Sequence, residues 1–153
     1  VDNIFVYQPL PSVRNIYYLD VDLYRYFIGR ADQSVNEQVM VRRVDQQLRV
    51  TRIMLACPSP YDLPERQKNL ASYMLNYLSM MVAISSVFLT ISGTPESLEK
   101  KAQLWKELSE GDPRLYRRMK LFSVSAFTNL PGGLGNHLTV LLYRGVQKIY
   151  KFN

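Results

Sequence analysis

The 27 residues from 69 to 95 contain no Asp, Glu, Lys or Arg, and this stretch constrains the fold more than any other. About 20 apolar residues can cross a bilayer, so length alone allows a membrane span. The stretch, however, carries two stripes at helical spacing, and one consists of small, mostly polar residues. The apolar stripe is Leu70, Met74, Tyr77, Met81, Ile84, Phe88 and Ile91, and the small stripe is Ser72, Asn76, Ser79, Ala83, Ser86 and Thr90. Because small residues let helices approach closely, we predict that residues 62–92 form the central buried helix of a soluble bundle.

The composition is that of a single globular domain with an anionic partner. With 153 residues, 47% hydrophobic and 21% charged, the chain can bury a sizeable core. Its net charge of +6 favours nucleic acid, acidic lipid or a phosphorylated substrate as the partner, without choosing among the three. The single cysteine, Cys57, excludes an internal disulfide and indicates a reducing, cytoplasmic compartment. The single histidine, His137, excludes multi-histidine metal sites.

The first residues carry no targeting signal. The chain opens on Val1-Asp2-Asn3, without the basic and apolar regions of a secretory signal and without an initiator Met. We therefore expect this sequence to have been cut from a longer protein.

Strand signals dominate the first 30 residues. Residues 4–7 are β-branched and aromatic, and Pro9 and Pro11 then break the run. Farther on, apolar and polar residues alternate, which is typical of a strand. Leu19, Val21 and Leu23 fall on one face, and Tyr18, Asp20, Asp22, Tyr24 and Tyr26 fall on the other. We predict a short N-terminal β-strand pair or hairpin.

About five helices are predicted to follow, which makes the fold mainly α (α+β). Ser34 and Glu37 have the spacing of a capping box for the first helix, which prolines at 58 and 60 end. The third helix opens at Thr94-Pro95 and closes at Gly111, and the fourth opens at Asp112-Pro113. Residues 131–136 are predicted to form a glycine-rich loop before a last helix that begins near residue 138.

Each helix carries an apolar stripe. The stripes are Met40, Val44, Leu48 and Leu55 on the first helix; Leu98, Ala102, Trp105 and Leu108, facing inward, on the third; Leu115, Met119, Phe122 and Ala126, also inward, on the fourth; and Leu138, Leu142, Val146 and Ile149 on one side of the last.

Asp20 and Asp22 form a D-x-D pair whose carboxylates could reach one hard cation, because residues two apart on a strand point the same way. No third acidic residue lies nearby in the sequence, so a polar strand face is the favoured interpretation. The glycine-rich segment is not a phosphate loop, because no Lys-Ser or Lys-Thr follows it.

Two basic clusters remain as candidate anion-binding faces. Side chains at 114, 117, 118 and 120 could contact phosphates, although a solvated face is favoured. Arg144, Lys148 and Lys151 could form a membrane face resting on anionic lipid, and a plain surface helix is the alternative.

Several short motifs together resemble one enzyme family. The segment around Tyr24 to Ser34 resembles the one that closes the nucleotide-sugar domain of bacterial family 2 glycosyltransferases, with an aromatic strand, a basic residue and a serine opening a helix. Later segments look like the C-terminal extension of cell-surface polysaccharide glycosyltransferases of Gram-positive bacteria, so the resemblance spans most of the chain. The motifs are Tyr24-Arg25-Tyr26, Gly29-Arg30, Gln33-Ser34, YDLPERQKNLASYMLNY, SGTPESLEKKAQLWKELSE and KIYKFN.

The resemblance implies two parts and a function for the whole enzyme. Residues 1–30 are expected to be the terminal β-strands of a GT-A-like nucleotide-sugar domain, and residues 31–153 a C-terminal helical domain. The enzyme is expected to transfer a sugar, with inversion, from a nucleotide-sugar donor to a glycan or lipid-linked acceptor. It is expected to need Mg or Mn and to act in the cytoplasm, at the inner face of the plasma membrane.

The same resemblance assigns roles to individual residues. Arg30 and Ser34 are expected to lie over the donor diphosphate, with Tyr24 and Tyr26 walling the cleft. The family keeps its metal-binding D-x-D and its catalytic base upstream, so we expect no catalytic residue and no metal ligand in this chain, which should be inactive alone.

Two readings without an enzymatic parent stay open: a membrane-surface module and a nucleic-acid module, each using basic helical faces. No helix-turn-helix or RNA-binding signature is present, so nucleic acid is not the expected partner.

Overall fold

The computed structural model of the protein describes residues 2–25, 36–130 and 132–150. Within these ranges there are seven α-helices and no strand, so the mainly α prediction is confirmed. The helices are α1 (Asp2–Tyr7), α2 (Glu37–Arg42), α3 (Val44–Leu55), α4 (Lys68–Ser92), α5 (Pro95–Gly111), α6 (Pro113–Leu121) and α7 (Gly132–Tyr150). Short 3₁₀ segments lie at Leu10–Ser12, Pro60–Asp62, Glu65–Gln67 and Val124–Thr128.

The predicted N-terminal strand pair is wrong. Residues 4–7 belong to α1, where Tyr7 is fully buried and packs edge-on against Tyr77 at 5.7 Å between ring centroids. The Tyr77 hydroxyl also donates a hydrogen bond of 2.7 Å to the side chain of Asn3. A short apolar run has no period that separates a strand from a buried helical turn, and here packing against α4 decides for the helix.

The helix α4 is the central element, as predicted, and it contacts α2, α3, α5, α7 and the 3₁₀ segment Val124–Thr128. It begins at Lys68 rather than at residue 62, because 3₁₀ turns occupy the segment before it. No residue from 81 to 90 is exposed. The length and composition of α4 alone would let it span a membrane. However, 67% of its most apolar 18-residue stretch is buried inside the protein, as expected of a core helix.

Buried hydroxyl groups join α4 to its neighbours. Thr51 on α3 lies 2.8 Å from Ser85, hydroxyl to hydroxyl, and the indole of Trp105 on α5 donates to the Ser86 hydroxyl at 3.0 Å. Ser85 and Ser86 are fully buried, and an unpaired hydroxyl at that depth would cost about 1–3 kcal/mol. The small stripe of the sequence therefore serves two purposes, close helix approach and specific hydrogen bonds between helices.

Local capping sets the ends of the next two helices where the sequence predicts them. Gly93 ends α4 with a φ of 66°, a left-handed conformation that favours glycine. The Thr94 hydroxyl accepts a hydrogen bond of 3.1 Å from the amide of Ser97, and Asp112 caps α6 by accepting from two amides. These starts at Thr94-Pro95 and Asp112-Pro113 are confirmed.

Two predicted boundaries are wrong. The first predicted helix is in fact two helices, α2 and α3. Asn36 caps α2, because its side chain accepts a hydrogen bond of 3.0 Å from the amide of Gln38. Ser34, the predicted cap, lies outside the described residues. The predicted glycine-rich loop is largely helical, because α7 begins at Gly132. At Gly135 a Cβ would lie 2.4 Å from the carbonyl oxygen of Leu130, so this glycine permits close packing within a helix.

We expect Met81→Asp to lower the free energy of unfolding by about 3 kcal/mol or more, because Met81 is 2% exposed and the carboxylate would be withdrawn from water. Urea unfolding measures this change. Met80→Asp is the matched control on the same helix, since Met80 is 55% exposed and its carboxylate would stay in water. Equal urea midpoints for the two variants, or a protein that needs detergent to stay in solution, would contradict a central buried α4.

Candidate functional site

The segment from residue 13 to residue 25, here called the arm, holds the described part of the predicted donor site. It has no regular secondary structure, and its amides at 21 and 23 bond only to carbonyls two residues earlier, at 2.9 Å. Seven large apolar or aromatic side chains of the arm are 61–88% exposed. They are Ile16, Tyr17, Tyr18, Leu19, Val21, Leu23 and Tyr24.

Only Tyr24 of the four predicted donor-site residues lies in the described part of the chain, and it is 78% exposed. Tyr26, Arg30 and Ser34 lie outside the described residues. The roles of Arg30 and Ser34 at the diphosphate, and of the two tyrosines at the cleft wall, therefore stay predictions.

Asp20 and Asp22 both lie on the exposed arm, and the hydroxyl of Tyr18 is 3.5 Å from an oxygen of Asp20. In the described ranges, no three His, Cys, Asp or Glu side chains are grouped so that they could hold a metal ion. That the aspartate pair binds no catalytic metal stays a prediction.

A cleft of about 670 Å³ lies among α3, the loop that follows α3, α5 and the start of α6. The guanidinium of Arg52 forms two hydrogen bonds with the Glu107 carboxylate across it, at 2.7 and 2.9 Å. The hydroxyl of Ser59 donates to Asp112 at 2.6 Å, and Asp112 also accepts from the amides that open α6. The charged side chains of the cleft thus tie the helices together.

Burial, ion pairing and hydrogen bonds shift the pKa values of three groups in this cleft. Burial alone raises the pKa of Glu107, but hydrogen bonds from Arg52 and Gln103 outweigh it and hold the pKa below its ordinary value. The pKa of Asp112 is lowered in the same way, by Ser59 and two amides acting against burial. Burial raises the pKa of the Cys57 thiol, which lowers its thiolate fraction. These shifts favour the ionised form of both carboxylates and the protonated form of the thiol.

Lys101 on α5 is a functional candidate that the sequence pattern missed. It is 6% exposed, and its ammonium donates to the Thr90 hydroxyl on α4 and to the side-chain oxygen of Asn136 on α7, each at 3.0 Å. The predicted inward stripe put Ala102 on this side, but Ala102 is exposed, and Leu104 faces the core beside Lys101. The single lysine thereby links three helices.

Burial lowers the pKa of Lys101 to about 8, because neither hydrogen-bond acceptor carries a charge that would stabilise the ammonium ion. A buried amine of this kind can act as a base or a nucleophile. Here the amine donates hydrogen bonds to side chains of α4 and α7. This arrangement fits a structural role for Lys101, in which it links three helices.

The basic residues predicted as anion contacts differ in their surroundings. Arg144 is paired with the Glu37 carboxylate through two hydrogen bonds of 2.5 and 2.8 Å, and Arg114 is paired with Asp62 at 2.7 Å. Lys148 is exposed on α7, and Lys151 lies outside the described residues. The predicted membrane face of Arg144, Lys148 and Lys151 is therefore partly neutralised at Arg144.

Comparison of the chain with protein-family models, with curated proteins and with solved structures found no match. The functional argument therefore rests on the residues of the chain.

The stability of the protein should depend on the charge of Lys101. Its pKa is about 8 in the folded state and ordinarily 10.5, so the unfolded state binds more protons between these values. The free energy of unfolding therefore rises with pH across this window. Relative to Lys101→Met, which removes the group, the wild type should gain roughly 2 kcal/mol from about pH 7.5 to about pH 10.

Urea unfolding at several pH values measures this difference, and Lys106→Met, an exposed lysine of the same helix, is the matched control. If the wild type and Lys101→Met differ by a constant amount over this range, the amine is not buried as described.

Proposed function

We propose that this chain is the C-terminal part of a family 2 glycosyltransferase that acts in cell-surface polysaccharide synthesis. The enzyme transfers a sugar from a nucleotide-sugar donor to a glycan or lipid-linked acceptor, in the cytoplasm at the inner face of the plasma membrane. The sequence resemblance over most of the chain suggests the family. The observation that carries the proposal is the exposure of the arm.

The arm exposes more apolar surface than a solvated segment ordinarily does. Fully burying one such side chain stabilises a protein by about 1.5–3 kcal/mol, and seven of them lie between residues 16 and 24. The exposed side chains come from both faces of the predicted strand, for example Leu19 from one face and Tyr18 from the other. A contact with only one face would therefore leave the side chains of the other face uncovered. A neighbouring domain that encloses the arm accounts for both sets, and the family has its nucleotide-sugar domain at this point.

The proposed division of labour follows from the chain's chemistry. The upstream domain supplies the catalytic base and the Mg or Mn site. This chain supplies the diphosphate contact, with the guanidinium of Arg30 pairing bidentately with phosphate oxygens and Ser34 beside it. Tyr24 and Tyr26 form the wall of the cleft. The helical bundle holds these residues in place and takes no part in bond making.

Arm residues should matter only when the upstream domain is present. In the complete enzyme, we expect Leu19→Asp/Leu23→Asp to lower sugar transfer at least tenfold, because two carboxylates would enter a buried contact. In the present chain the same pair should change the free energy of unfolding by less than about 0.5 kcal/mol, since both leucines are exposed. Transfer assays measure the activity of the complete enzyme, and urea unfolding measures the stability of the present chain. If the substitutions leave sugar transfer by the complete enzyme unchanged, the arm no longer supports the proposal.

Arg30→Ala in the complete enzyme should lower kcat by roughly 100-fold, which is the scale of losing one preorganised charge contact in the transition state. The negative charge of the leaving diphosphate grows as the sugar bond breaks, so kcat should change more than substrate binding. Transfer of a labelled sugar from the donor measures this. The matched control is Arg49→Ala, an exposed arginine on α3.

Ser34→Asp tests the diphosphate contact without removing the cap of α2, which is Asn36. The charge of the aspartate repels the diphosphate. A stable and inactive variant is the expected result. If Arg30→Ala and Ser34→Asp both transfer sugar at the wild-type rate, the diphosphate role is wrong. If the coding sequence upstream of Val1 lacks a D-x-D that follows a strand, the family assignment is wrong.

A further inference from the structure

The side of α7 that faces away from the bundle is apolar. Side chains spaced three, four and eight residues apart lie on this side, and their exposures are 87% at Leu134, 42% at Leu138, 69% at Leu141 and 75% at Ile149. Leu142 and Val146 border them and are 42% and 44% exposed. A surface helix ordinarily turns such a stripe to the core.

The opposite side of α7 is already fixed to the bundle. The Thr139 hydroxyl lies 3.0 Å from the carbonyl oxygen of Phe127, Asn136 accepts from Lys101, and Tyr143 packs edge-on against Phe88 at 5.9 Å. Gly135 lies against Leu130 without room for a Cβ. The orientation of the helix is therefore set by specific contacts on its inner side, and the apolar stripe needs another cover.

The segment before α7 also exposes apolar side chains. Leu121, Phe122, Val124 and Phe127 are 58–72% exposed, and the carbonyl of Phe127 accepts from Thr139 on the packed side of α7. Phe122 was predicted to point inward, but α6 ends one residue before it. We call the outward stripe of Leu134, Leu138, Leu141 and Ile149 the α7 face.

The positive charge of the chain is concentrated in the segment that carries the α7 face. Residues 113–153 contain seven Lys or Arg and no Asp or Glu, whereas residues 1–112 contain 12 Lys or Arg and 13 Asp or Glu. The last 41 residues therefore carry a charge of +7 and the rest of the chain −1, and two of the seven cations, Arg114 and Arg144, are paired with Asp62 and Glu37. Among the cations there, Lys120 and Lys148 are exposed, and Lys148 borders Leu141 on the helix surface.

We propose that the α7 face binds the surface of an anionic lipid bilayer, with α7 lying in the plane of the interface. The aliphatic side chains of the face enter the acyl boundary, and exposed lysines contact lipid phosphates. The stripe from Leu134 to Ile149 is about 22 Å long, so the helix lies along the membrane while its inner side stays on the bundle.

Charge favours lipid over the other occupants. Two copies joined through this face would bring together two segments that each carry five cations besides the paired Arg114 and Arg144, so repulsion opposes a dimer. Nucleic acid needs cations across the contact, whereas the middle of this face is aliphatic. An anionic bilayer offers negative charge at the edges and hydrocarbon in the middle. The inference adds a partner to the proposed function without depending on it, because lipid binding is measured without sugar transfer.

Co-sedimentation of the wild-type chain with phosphatidylcholine vesicles, with and without phosphatidylglycerol, tests the proposal. We expect binding to vesicles that contain phosphatidylglycerol, and we expect added salt to weaken it. Leu134→Asp/Leu141→Asp should weaken binding at least tenfold, because two carboxylates replace the most exposed leucines of the face. Leu19→Asp/Leu23→Asp is the control, since it changes the net charge equally on leucines that are 66% and 82% exposed in the arm.

The lysine contribution has its own pair of variants. Lys148→Gln should weaken binding to phosphatidylglycerol vesicles by about fivefold, the scale of one cation near an anionic surface. The matched control is Lys68→Gln, which replaces an exposed lysine outside residues 113–153 and should leave binding unchanged. Leu141→Trp reports insertion independently, because its fluorescence should shift to the blue on vesicles, while Trp105 is already buried.

Three results would overturn the proposal. The first is no binding to phosphatidylglycerol vesicles by a folded wild-type chain. The second is equal loss of binding in the arm control. The third is a dimer, or a complex with an oligonucleotide, that Leu134→Asp/Leu141→Asp abolishes while vesicle binding persists, since the face would then belong to that other partner.

Discussion

Burial of α4 is the constraint on which the rest of the bundle depends. After Lys68 the helix carries no charged side chain up to its end at Ser92, and its middle positions are covered on nearly every side. Covering it also requires partners for its hydroxyl groups, which fixes Thr51 of α3 and Trp105 of α5 opposite particular serines. Hydrophobic burial thus brings the helices together, and hydrogen bonds set their register.

Elements with local signals could be predicted from the sequence, and those decided by tertiary contacts could not. The ends of α4, α5 and α6 depend on Gly93, Thr94 and Asp112, whose caps involve only neighbouring residues. In contrast, α1 forms because Tyr7 is buried against α4, and the first turn of α7 packs closely only because Gly135 has no side chain. Neither contact is visible in a hydrophobic period, so one segment was predicted as a strand and the other as a loop.

The side that a helix turns to the core was the least predictable property of the candidate sites. On α7 the packed side consists of Gly135, Thr139 and Tyr143, spaced by four, and the leucine stripe with the same period faces outward. Close approach selects small and hydrogen-bonding residues for the packed side, whereas a hydrophobic period singles out the leucines. On α5 the core side includes Lys101, which no apolar pattern would place there. Of the donor site, the described residues include only Tyr24, so its geometry stays an expectation from the family.

The arm and the α7 face are both exposed and apolar, but their charges suit different partners. The arm carries two arginines and two aspartates, so an anionic surface neither attracts nor repels it strongly. The α7 face lies in a segment with cations alone, which a negatively charged membrane attracts. The two surfaces involve different residues, so a protein domain on the arm and a bilayer under α7 would be separate contacts. Each should be lost with its own pair of leucine substitutions while the other is kept.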